Sequence, residues 1–154
     1  MRLKPFLRRE LTDLVGPVES RDALLRQLSE RIAEAVAPVD AETMYQALID
    51  RESKGPTSTP EGVAFPHAMI ESVEGSFVGA CKVSGGADFG QKGHPPSDLV
   101  FVLVGPPEAA WEHIRILARL ARICHGIGAL QRLRDAEDSQ QLYDALVAED
   151  ERHV

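Results

Sequence analysis

Six consecutive apolar residues, Leu99-Val100-Phe101-Val102-Leu103-Val104, constrain this chain more than any other stretch. Valine is stiff at χ1 and packs well on a pleated surface, so the run reads as a strand. It does not alternate with polar residues, and a strand that is apolar on both sides must be covered on both sides. Helices are therefore required above and below a sheet whose centre holds this segment.

Other segments supply the layers. From Ser76 to Val83, Phe77, Gly79, Cys81 and Val83 alternate with Ser76, Val78, Ala80 and Lys82, the period of two of a strand. Val63-Ala64-Phe65 is a shorter apolar run at the end of a long loop. Ser20 is placed to cap a helix over about 21–36, with Leu25, Leu28, Ile32 and Ala35 at helical spacing. Asp40 caps a second, to about Arg51, that turns Met44, Ala47 and Leu48 inward. Pro106-Pro107 open a third over about 108–125, stopped by Gly126 and Gly128. Its stripe is read as Ile114, Leu117, Ala121 and Cys124, widened by Ile116, Leu120 and Ile123. A short helical piece lies around 130–133, and Asp138 with Gln141 forms a capping-box pattern before Leu142 and Leu146. The sum is an α/β chain. Residues 1–154 are expected to form a single domain, a central mixed β-sheet of about five strands flanked by helices on both faces.

Composition narrows the function. No apolar run approaches the roughly 20 residues that cross a bilayer. Arg2, Lys4, Arg8 and Arg9 are not followed by the apolar segment of a secretion signal, so the cytoplasm is the expected location and membrane insertion is not. A formal net charge of −7 repels nucleic acid. Cys81 and Cys124, the only two cysteines, read as buried, reduced residues.

The least ordinary local sequence runs from Glu52 to Gly62, dense in Ser, Thr, Gly and Pro, and leads through the short apolar run to Pro66-His67. Its composition excludes regular structure. It concentrates groups that suit phosphate: the hydroxyls of Thr57, Ser58 and Thr59, and the guanidinium fork of Arg51. A neutral imidazole, as at His67, is also a nucleophile near pH 7.

Arg51-Glu52-Ser53-Lys54-Gly55-Pro56-Thr57 followed by Gly62-Val63-Ala64-Phe65-Pro66-His67 resembles the active-site signature of the fructose/mannitol/nitrogen class of enzyme IIA domains of the phosphoenolpyruvate-dependent phosphotransferase system. Asp98 to Val104 and His113 to Ala121 look like that family's central strand and the helix after it, so the resemblance covers nearly the whole chain. It implies a phosphocarrier that accepts a phosphoryl group on His67 from the phosphohistidine of HPr. The group would pass to a IIB partner in sugar uptake. It also implies that His113 donates a hydrogen bond to His67 or its phosphoryl group, that Arg51 neutralises charge, and that Thr57 belongs to the site. No cofactor and no metal are implied. One stretch departs from the family pattern: Ser58-Thr59-Pro60 stands where a glycine-containing run is usual. Pro60 fixes φ and lacks an N–H, so the loop must take another path, with the added hydroxyls able to compensate.

Two rival functions remain. A nitrogen-type regulatory IIA protein would be phosphorylated in the same way but act by docking on a target protein. A metal hydrolase built on His67, His94, His113 and nearby carboxylates would lack the short helical histidine spacing such sites favour. Trp111 reads as an anchor into the core and His153 as part of a frayed tail, while Phe65 and Met69 are candidates for a partner surface around His67.

Overall fold

The structure, a computed structural model, describes residues 1–36 and 38–153. Five strands, β1 (Leu7–Val15), β2 (Val63–Ala64), β3 (His67–Met69), β4 (Phe77–Ala87) and β5 (Ser97–Gly105), form one mixed sheet in the order β1-β4-β5-β2, with β3 also on β5. β4 and β5 are antiparallel; every other pairing is parallel. β5 is the central strand required by its sequence. Val100, Val102 and Val104 pack on one side against α1 (Arg21–Ala35) and α2 (Ala41–Ser53). Leu99, Phe101 and Leu103 pack on the other, against α3 (Ala110–Cys124), α4 (Ala129–Arg134) and α5 (Ser139–Arg152). The result is three layers, with the sheet in the middle.

The caps form as the sequence requires. Ser20 Oγ accepts from the Ala23 N–H at 3.0 Å and Asp40 Oδ2 from the Thr43 N–H at 2.9 Å. Asp138 accepts from the Gln141 N–H at 2.8 Å, but the Gln141 side chain reaches one residue further back than a capping box, to the Glu137 N–H.

Several expectations are corrected. The N-terminal segment, read only for its charge, is strand β1; its pairing with β4 is irregular between Leu7 and Thr12, which erases a period of two. β4 is not one-sided: Phe77 to Cys81 are all buried, because helices cover both faces. The stripe of α3 is rotated from the expected one. His113, Ile116, Leu120 and Ile123 face the core, while Ile114 and Trp111 are 67% and 61% exposed. Trp111 is thus a surface residue and not a core anchor.

The tail is not frayed. Asp150 is buried against Arg119 at 2.8 Å and accepts the backbone N–H groups of Leu3 and Lys4 at 2.9 and 3.0 Å. Arg119 also donates to the carbonyl of His153 at 2.7 Å, so the end of α5 and the chain's first residues are fastened together.

Candidate active site

The edge beside β5 is one strand in two pieces. Val63, Ala64 and His67 hold a constant offset from Leu99, Val100 and Leu103, so Phe65 and Pro66 interrupt the strand without shifting its register. A proline is tolerated there because an edge strand has N–H groups the ladder does not need. Phe65 lays its ring on Phe101, with centroids 5.7 Å apart, and its carbonyl oxygen lies 2.8 Å from Nδ1 of His67.

That contact decides the tautomer of His67. A carbonyl only accepts, so Nδ1 carries the proton and donates it, and the lone pair is left on Nε2. Arg51, in the last turn of α2, points its Nε–H at that same Nε2 from 3.1 Å and donates from Nη1 to the Gly55 carbonyl at 2.9 Å. Both contacts require the same protonation state. Burial lowers the His67 pKa from its ordinary value and Arg51 lowers it further, against the opposing pull of the Phe65 carbonyl and Glu52. The ring is neutral and half-buried, and its one lone pair, on Nε2, accepts from Arg51.

His113 stands in the first turns of α3, its ring centroid 5.3 Å from that of His67 and the two planes inclined by 59°. It is 3% exposed, and burial pushes its pKa down to about 4, with the His67 ring adding to the effect. Neither of its ring nitrogens has a hydrogen-bond partner, so it does not donate to His67 itself.

Thr57 is held elsewhere. Its N–H donates to Glu52 Oε2 at 3.1 Å and its hydroxyl donates to Glu52 Oε1, so both polar groups are spent on that carboxylate. Glu52, only 2% exposed, is a residue the sequence reading passed over; a single buried carboxylate at a helix end has no periodic signal. Ser58 Oγ shares a 3.0 Å hydrogen bond with Nδ1 of His94, and Thr59 Oγ1 is buried with no partner. The loop is also more ordered than its composition suggests, since Ser58 bridges Ala64 and the Thr59 N–H donates to the Val63 carbonyl at 2.8 Å.

The structure thus brings Arg51, His67 and His113 together and ties Thr57 to Glu52. Among the described residues no three His, Cys, Asp or Glu side chains gather closely enough to hold a metal ion, and no helix is long and apolar enough to cross a membrane.

Residues 5–149 match the family described as "Phosphoenolpyruvate-dependent sugar phosphotransferase system, EIIA 2". The chain belongs to this family. Its EIIA relatives include a protein of Bradyrhizobium diazoefficiens named "Nitrogen regulatory protein", 31% identical over 88% of this chain and 94% of that one. Another, of Haloferax volcanii, is named "PTS system fructose-specific EIIA component" and is 26% identical over 89% of each. The EIIA fold is seen again in the nitrogen regulatory protein IIA-Ntr of Neisseria meningitidis, with a TM-score of 0.83 at 20% identity over 92% of this chain and 97% of that one.

Proposed function

We propose that His67 carries a phosphoryl group, taken on Nε2 from the phosphohistidine of an HPr-like donor and passed to a IIB partner in sugar uptake and phosphorylation. The observation that carries this reading is the pair of opposed contacts on one ring. The Phe65 carbonyl keeps the proton on Nδ1, and Arg51 sits at Nε2 where a dianion would arrive.

In the transfer the donor's P–N bond breaks as a P–Nε2 bond forms, and the electron pair of the broken bond returns to the donor imidazole. Nδ1 keeps its proton, and positive charge developing on the His67 ring is met by the Phe65 carbonyl dipole. Arg51 releases Nε2 and turns its N–H groups to the phosphoryl oxygens, where a planar fork grips two of them. Such a reaction asks the protein mainly for position and charge, which is what a pre-set tautomer and an adjacent guanidinium supply. A donor protein has somewhere to land: Met69, two residues beyond His67, is exposed, and so are Trp111 and Ile114 on the turn that bears His113. Donor and acceptor would both be cytoplasmic.

Incubation with phosphoenolpyruvate, enzyme I and HPr, read by intact mass, tests the proposal. An acid-labile gain of one phosphoryl group in wild type supports it, and its absence overturns it.

A second reading changes only the destination of the phosphoryl signal. The Bradyrhizobium relative bears a regulatory name, and so does the Neisseria structure; a regulatory chain would use the phosphorylation state of His67 to control docking on a target protein. Discharge of the phosphorylated chain by a IIB domain favours transport. Phosphorylation-dependent binding to a non-transport protein favours regulation.

A further inference from the structure

Five buried side-chain atoms lack a hydrogen-bond partner among the described residues: Thr59 Oγ1, Ser76 Oγ, Ser97 Oγ and both ring nitrogens of His113. Two of them meet at Gly105, the last residue of β5. A Cβ placed on Gly105 would lie 2.6 Å from Ser76 Oγ and 3.5 Å from Nδ1 of His113, so the hydroxyl and the ring nitrogen are within about 6 Å of one another across the space a side chain would fill. One bridging water spans a gap of that size. Both polar atoms are shielded from solvent, although Ser76 as a residue is only half-buried, and each is the complement of the other; a polar atom left unpaired away from water costs free energy.

We propose that Ser76 is a positioning residue for His113: its hydroxyl donates through such a water to Nδ1, fixing the tautomer that carries its proton on Nε2. The inference rests on the reading of His67 as phosphoryl acceptor, because the direction of the bond follows from it. A serine hydroxyl can donate or accept. If it accepted, Nδ1 of His113 would hold the proton and Nε2 would present a lone pair to the incoming dianion. If it donates, Nε2–H becomes the donor that the phosphoryl oxygens need. His113 is held neutral by burial, so the variable left to control is which nitrogen bears the proton. Gly105 is what leaves room for the arrangement. Any β-carbon there collides with the hydroxyl.

Long-range proton–nitrogen correlation NMR of the histidine rings reads the tautomer directly, in the unphosphorylated chain and without any donor. Wild type should show His113 protonated at Nε2 and accepting at Nδ1. Ser76→Ala and Gly105→Ala, which remove or displace the hydroxyl by different routes, should both move His113 toward a mixture of tautomers, and Ser76→Thr should restore it. Ser76→Ala should also slow transfer to His67 about tenfold with little change in the KM for the donor. A His113 protonated at Nδ1 in wild type, or a tautomer indifferent to all three substitutions, overturns the proposal. A tautomer that responds as described in a chain that never accepts phosphate would uphold the Ser76–His113 bond and remove the phosphocarrier reading instead.

Discussion

Nε of Arg51 lies 3.1 Å from Nε2 of His67, the one ring nitrogen that keeps a lone pair while the N–H at Nδ1 donates to the Phe65 carbonyl. On the proposed reading, the guanidinium covers the acceptor nitrogen before reaction and turns to the phosphoryl oxygens afterwards.

Replacing Arg51 should cost transfer much more than stability. Arg51→Ala should slow phosphorylation of His67 about 10²-fold, the order found when one aimed donor is removed from a charge-developing site. Arg51→Lys should recover only part of it, since an ammonium cannot reach Gly55 and His67 together as the fork does. Rapid-quench measurement of phosphoprotein formation checks both.

Thr57 and Glu52 should behave as structural partners. Thr57→Val, which keeps the shape and deletes the hydroxyl, should destabilise by about 1 kcal/mol and leave phosphorylation within a few-fold of wild type. Glu52→Ala strands the N–H and hydroxyl of Thr57 and should cost about 1–3 kcal/mol. Denaturant unfolding measured beside transfer rates separates this from a direct role at the phosphoryl group, in which Thr57→Val would abolish transfer at unchanged stability.

The two histidines give stability a pH signature. His113 has a pKa of about 4 in the folded chain against an ordinary value of 6.5, so between those values the unfolded chain binds the proton and the folded chain resists it. The contribution is fully present above the ordinary value and is lost as pH falls from there toward about 4. His67, lowered in the same direction, adds to the loss over the upper part of that window. Wild type should therefore lose stability relative to His113→Gln as pH falls through this range, with the difference between them constant above about pH 7. Urea midpoints measured across the range check the sign.

Asp150 fastens both ends of the chain through Arg119, Leu3 and Lys4. Asp150→Asn leaves the buried Arg119 without its counter-charge and should cost about 3–5 kcal/mol, seen as a lower urea midpoint at unchanged slope. Replacing exposed Met69 by Asp should instead leave the midpoint alone and weaken phosphorylation by the donor about tenfold, since Met69 borders a cleft already lined by Glu42, Asp50 and Glu71.

Much of this architecture is legible in the residues, for identifiable reasons. The Leu99–Val104 run demands cover on both faces, and Ser20, Asp40 and Asp138 mark helix starts by chemistry that does not depend on distant contacts. β1 is hidden because Arg8, Arg9 and Glu10 lie in it and its irregular pairing breaks alternation. The rotation of α3 is hidden because apolar residues surround most of that helix, so the sheet chooses the buried side. At the site, His67, Arg51 and His113 are signalled by a long matched pattern. Glu52 and the orphaned Ser76 are not, since each acquires meaning only from a neighbour that folding brings to it.

The most direct measurement is phosphorus–nitrogen correlation NMR on the chain phosphorylated with nitrogen-labelled histidine. The phosphorus should couple to Nε2 of His67 while Nδ1 of the same ring stays protonated. Coupling to Nδ1, or to any other histidine, would contradict a nucleophile preset by the Phe65 carbonyl.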